Sequence, residues 1–180
     1  MPSRLTRLLH VLPATVRWSL LPAALLACLA LVTWSGATWE PPVTPPEPRG
    51  QVADHCRALA AALPATVQGH RRTSPTASPY VAVWSSSPRT VLRCGVPRPK
   101  SLGVWANRIA PGPYVSGVQW YIEKDGHGGY RLTVTQRSAY VELSVPAGAY
   151  PNYSDPLVDL SPPIAATLET YGHLGPTDDS

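Results

Sequence analysis

The chain predicts an α+β domain: a small antiparallel sheet of about five strands with flanking helices, preceded by one transmembrane helix. Three features lead there. Short apolar segments alternate with polar residues between positions 80 and 145, punctuated by Gly, Pro and Asp-Gly turns. A helical apolar pattern precedes them, and only two cysteines, Cys56 and Cys94, lie outside the N-terminal apolar segment. That segment, from Trp18 to Trp39, carries no charge over 22 residues.

Residues 1–17 hold Arg4, Arg7 and Arg17 and no acid. The uncharged stretch that follows exceeds the ~20 residues needed to cross a hydrocarbon core. Trp34 and Trp39 stand at its outer end, where indoles favour the interface, and the arginines before it predict N-inside, C-outside. A retained single-span anchor is the leading form. A cleaved signal, with Ser35-Gly36-Ala37 as its small-residue site, is the second. Leu25-Leu26-Ala27-Cys28 resembles a lipobox, but Leu29-Ala30-Leu31-Val32 keeps the chain apolar beyond it. Each form puts the remainder outside the cytoplasm, and the leading one holds it at the cell membrane. The Pro-rich linker 40–49 then reads as a polyproline II spacer reaching roughly 28 Å.

The formal net charge is +4, and the first 17 residues alone supply +3. A near-neutral remainder excludes a protein built to neutralise many phosphates, so nucleic acid is not an expected partner.

Along the extracytoplasmic domain, residues 50–170, the elements follow in order. Val52, Cys56, Leu59, Ala60 and Leu63 share one helical face, and Pro64 stops the helix. Residues 65–79, with Arg71, Arg72 and two prolines, read as a loop. Tyr80–Trp84 and Thr90–Cys94 alternate as strands, and residues 97–113 form a Pro- and Gly-rich crossing. Val115–Glu123 reads as one long strand, Lys124–Gly129 as a hairpin turn, and Tyr130–Thr135 as its return. Tyr140–Val145 makes the last strand, ended by Pro146. Ser161 is placed as the N-cap of a final helix with Pro162 and Pro163 in its first turn, and residues 171–180 as a disordered tail.

Outside the cytoplasm a Cys56–Cys94 disulfide is permitted, tying the first helix to the sheet. A redox role is not indicated, because no C-x-x-C pair is present. Residues 48–115 are strongly basic and residues 116–180 acidic. Two accounts follow: the halves attract each other within one domain, or a basic face meets an anionic envelope polymer or lipid headgroup. Arg93, Arg98 and Lys100, beside the staple, are the candidate contacts. Trp84, Trp105 and Trp120, with Tyr114 and Tyr121, could make a sugar-stacking platform, but a chain without Phe needs rings in its core, so Trp84 and Trp120 are assigned there. No triad signature, phosphate loop or metal-ligand spacing stands out, so neither cofactor nor metal is expected.

Val91-Leu92-Arg93-Cys94-Gly95-Val96-Pro97, Gly117-Val118-Gln119-Trp120, Arg137, Tyr140-Val141-Glu142, Val145-Pro146 and Asp159-Leu160-Ser161 appear in that order. Together they resemble the actinobacterial domain-of-unknown-function family 3515, over roughly residues 50–168. The resemblance implies a membrane-anchored envelope protein and carries over no activity. The expectation is therefore a non-catalytic binding or interaction module, whose partner is an envelope protein or an anionic cell-wall polymer. The alternative is an envelope enzyme whose site is assembled non-locally from Arg93, Trp120 and Arg137.

Overall fold

The structure is a computed structural model that describes residues 25–26, 40–73, 78–103 and 112–170. The chain divides into residues 1–38 and residues 39–180, and the second unit holds all the elements below. The expected span 18–39, the Trp105 region and the 171–180 tail lie outside the described residues, Leu25 and Leu26 apart. Among the described residues no helix is long and apolar enough to cross a membrane.

The sheet is larger than the sequence suggests. Eight antiparallel strands, not five, run in the order β1-β2-β3-β4-β8-β7-β6-β5. They are β1 (Thr66–Val67), β2 (His70–Thr73), β3 (Val81–Trp84), β4 (Thr90–Cys94), β5 (Tyr114–Val115), β6 (Val118–Lys124), β7 (Tyr130–Thr135) and β8 (Val141–Val145). Helix α1 (Gly50–Ala62) precedes them and α2 (Asp155–Thr167) follows. Two tight turns account for most of the extra strands. Gln68-Gly69 joins β1 to β2 and Ser116-Gly117 joins β5 to β6, with positive φ at all four residues. Paired left-handed residues give the twist that two-residue hairpins require. The stretch 65–79 therefore contains an edge hairpin where a loop was expected, and the expected strand 115–123 is folded back on itself at its start.

Pairing register assigns each side chain to a face. Ala82, Trp84, Leu92, Cys94, Trp120, Leu132, Val134, Val141 and Leu143 point to the side that carries both helices, where they form the main core with Cys56, Leu59, Leu157, Leu160 and Ile164. Trp84 and Trp120 are both fully enclosed, as a chain without Phe demands. Cys56 of α1 and Cys94 of β4 are disulfide-bonded, with their Cα atoms 5.5 Å apart. The helix pattern is as expected, with Cys56 and Leu59 inward and Leu63 and Pro64 ending it.

Helix α2 starts earlier than the sequence suggested. Asp155 opens it, Ser161 lies in its middle and is buried, and Pro162 and Pro163 sit inside it rather than in its first turn. Pro162 is exposed, so its ring has room at the cost of one backbone bond.

The opposite face of the sheet is covered in two places. Val81, Val83 and Val91 pack with Val43, and Arg89 reaches Glu40 and the Pro41 carbonyl at 3.4 and 3.5 Å. The Pro-rich stretch therefore lies along β3 and β4 at these points instead of extending away as a free spacer. Its end is fixed by Gly95, whose φ is +82° and where a Cβ would stand 2.5 Å from that of Pro48. Any other residue there would have to push the Pro-rich segment off. The second cover is the strap that follows Cys94, and it builds the site.

Candidate functional site: a charged cleft beneath the strap

Residues 95–103 leave β4 and cross to the outer face of β6. Gly95 N–H donates to the Tyr140 carbonyl at 2.9 Å. Farther on, Arg98 folds the strap on itself, donating from Nε to the Leu102 carbonyl at 3.1 Å and from Nη2 to the Gly103 carbonyl at 3.0 Å. Leu102 is thereby pressed onto Tyr121 and Tyr140, with Val96 beside them. Trp120 and Tyr121, adjacent on β6, point to opposite faces, and the strap buries Tyr121 as well.

Between strap and sheet is an open cleft of ≈ 300 Å³, lined by Pro97, Pro99, Lys100, Ser101, Glu123, Arg131 and Glu142. Its floor is built by alternation. Arg93 faces Glu142 across β4–β8, and Glu123 faces Arg131 across β6–β7, all at outward positions. Both Arg93 Nε and Nη2 donate to Glu142 Oε1, and Arg131 Nε stands 3.6 Å from Glu142 Oε2. Glu142 thus bridges two guanidiniums. The Arg93–Glu142 pair is shielded, at 18% and 13% side-chain exposure, while Arg131 remains 43% exposed. Ser101 Oγ donates to Glu123 Oε1 and ties the strap to β6.

The expected basic face is largely used up internally. Arg57 pairs with Asp54, Arg89 with Glu40 and Arg93 with Glu142, while Arg72 caps the end of α1 through the Ala60 and Leu63 carbonyls. Burial lowers the Arg72 pKa from its ordinary value. Attraction between the basic and acidic halves is visible directly in Arg93–Glu142, which joins the two. Among the described residues, the side chains of Arg49, Arg71 and Lys100 are the cations of the basic half without a partner. Lys100 alone of these lines the cleft.

The sequence-predicted residues therefore separate into three groups. Lys100 lines the cleft, and Arg93 and Arg98 build it without being free to bind. Trp120 and Arg137 lie elsewhere: Trp120 is on the helix-bearing face, where its Nε1 donates to Ser161 Oγ at 3.0 Å. Ser161 is thus an acceptor in the core and not a helix cap. Arg137, 9% exposed, donates to the Ala165 and Leu168 carbonyls at 3.4 and 2.9 Å and to the Gly117 carbonyl. It closes the C-terminus of α2, where a cation is favoured by the helix dipole, and clamps it to the β5–β6 turn. The sheet consequently keeps Arg93 apart from Trp120. Replacing Arg137 by Met should cost about 2–3 kcal/mol of stability by stranding these carbonyls. Urea unfolding checks this, and a change under about 0.5 kcal/mol would remove the clamp from the account.

Glu123, Arg131 and Ser101 were missed from sequence. Strand alternation alone would have placed Arg131 and Glu123 outward, but only the register brings them to Glu142. Among the described residues no three metal-ligating side chains converge. What the cleft offers chemically is recognition by one free ammonium and a part-exposed guanidinium, beside the Glu142 carboxylate and a Glu123 carboxylate held by Ser101.

The sequence profile described as "Protein of unknown function (DUF3515)" matches residues 19–172. The chain belongs to this family. The DUF3515 match takes in the disulfide, the strap, every residue of the cleft and both helices. No curated protein and no solved structure matches the chain.

Proposed function

We propose that the protein is a membrane-anchored, extracytoplasmic binding module that holds an anionic group of an envelope protein or wall polymer in the cleft beneath the strap. The observation that carries this reading is Lys100, an exposed cation without a protein partner in a cleft where Arg93 and Arg131 already face Glu142 and Glu123 already accepts from Ser101. A free ammonium can bind an anion without first giving up an ion pair, whereas recruiting Arg93 would break a shielded one. Arg131, held loosely at 3.6 Å from Glu142, is the second contact. The location is supported by the uncharged stretch 18–39 behind a basic N-terminus and by the disulfide, which persists in oxidising compartments.

The test is affinity capture of the full-length, tagged protein from cross-linked native membranes, wild type against Lys100→Glu. Arg71→Glu, a charge reversal on β2 across the sheet, is the control. An envelope protein or polymer should be enriched with wild type and Arg71→Glu and fall about tenfold with Lys100→Glu. Identical capture by all three chains would overturn the reading.

A further inference from the structure

We infer that a second cleft, on the helix-bearing side of the sheet, is a binding site for a neutral saccharide. It lies between the β6–β7 hairpin and the loop joining β8 to α2, encloses ≈ 420 Å³, and is walled chiefly by Tyr130, Tyr150, Tyr153, Pro146, Pro151 and Asn152. That volume falls within the range of small-molecule sites. It is distinct from the Lys100 cleft, shares no lining residue with it, and does not depend on the function proposed above.

Composition selects the ligand class. Among the described residues no Asp, Glu, Lys, Arg or His lines the cleft, so a charged ligand would be desolvated there without a counter-charge. Tyrosine presents a π-face and a phenol on one side chain. The face suits the C–H-rich side of a pyranose, and the phenol suits its hydroxyls. The polar groups are also available. Among the described residues no protein group hydrogen-bonds the Tyr130 or Tyr153 phenol. Asn152 accepts Ser154 N–H and Oγ–H through Oδ1, at 3.3 and 3.1 Å, which orients the amide and leaves Nδ2 to donate.

The walls are set before any ligand arrives. Tyr130 and Tyr153 rings pack with centroids 4.4 Å apart and Tyr150 meets His70 edge-on at 5.4 Å. The loop beneath them is held by Ala149 N–H to the Pro146 carbonyl at 3.2 Å and by Asn152 N–H to Asp155 Oδ2 at 2.9 Å. The Tyr150 phenol oxygen is buried beside Ser86 and Thr90, whose hydroxyls bond each other at 2.8 Å, and makes no hydrogen bond of its own among the described residues. Rings fixed in advance lose little freedom on binding.

The probes are maltotriose, cellotriose and triacetylchitotriose, titrated by calorimetry into purified full-length protein in a detergent without a sugar headgroup. Trigalacturonate and a decaproline peptide are the charged and polyproline comparisons. At least one neutral trisaccharide should bind saturably with a Kd of about 1 mM or tighter. Tyr153→Ala should weaken it about tenfold or more, while Tyr114→Ala, an exposed ring on β5, and Lys100→Glu should not. Circular dichroism confirms folding, and Tyr153→Leu, which keeps apolar volume without the π-face, serves if Tyr153→Ala does not fold. The inference is overturned if no neutral trisaccharide binds by about 10 mM, if the Tyr153 variants bind as wild type, or if trigalacturonate or decaproline binds more tightly.

Discussion

Replacing both Cys56 and Cys94 with Ala is expected to lower stability by about 4 kcal/mol. The disulfide closes a loop with a sequence separation of 38 between α1 and β4. On the chain-entropy account the cross-link acts by restricting the unfolded chain, so removing it stabilises the unfolded state, and more so for a loop this long. A domain of this size has about 5–15 kcal/mol in total, so the loss is a large fraction. The same bond pins α1 to the middle of the sheet at β4, and the strap begins at the next residue, so loosening it should also loosen the Lys100 cleft. Urea unfolding of the oxidised protein, the reduced protein and the double-Ala variant checks this. Reduced and double-Ala forms should agree within about 1 kcal/mol, because the difference between them is two buried sulfurs and not the loop. A loss under about 1 kcal/mol in both would mean that core packing holds α1 without the staple.

How legible the fold was depends on where each element sits. β3, β4, β7 and β8 were readable because their inward residues alternate and turn residues bound them; Lys124–Gly129 forms its hairpin through Asp125 Oδ1, which accepts His127 and Gly129 N–H at 2.7 and 2.9 Å. β1 and β2 were not readable, since an edge hairpin rich in polar residues needs no apolar alternation: of its six strand residues only Val67 is buried. Ser116-Gly117 was hidden inside an apparently continuous run, although a Ser-Gly pair is itself a turn signal. α2 was misplaced because Pro162-Pro163 suggests a first turn, and the exposed side of an established helix tolerates them too.

The site was half legible for a related reason. Its strap announces itself through Cys94, Gly95 and two prolines, all local signals. Its floor comes from β6, β7 and β8, and only the pairing register carries Glu123, Arg131 and Glu142 to one spot. Net charge by segment pointed to a basic face, but segment charge does not reveal which arginines are consumed by carbonyls and carboxylates. The tyrosine cleft gave no sequence signal at all. Tyr150 and Tyr153 lie in an irregular loop, and of the rings weighed as a sugar platform Trp84 and Trp120 are core, as assigned from the sequence.

Trp120→Ala should cost about 3–5 kcal/mol, the other large effect expected in this chain. The indole is fully buried between the sheet and α2, so truncation opens a cavity that neighbouring strands cannot close. It also strands the Ser161 hydroxyl, which accepts the indole N–H at 3.0 Å. Trp120→Phe separates the two contributions: it keeps most of the ring volume, so its cost should fall to about 1–3 kcal/mol, largely that of the orphaned hydroxyl. Ser161→Ala should cost a similar amount by orphaning the indole N–H, and the double variant should recover part of both losses, which a double-mutant cycle in urea would read. Strict additivity would instead mean that the two groups do not couple. The same series decides between a core role and the ligand-contact role that the sequence left open for Trp120. A residue serving the core loses stability in every variant while Lys100-dependent capture persists wherever the domain still folds. A ligand contact would lose capture in Trp120→Phe with stability nearly intact, and an indole sealed between two layers predicts the first result.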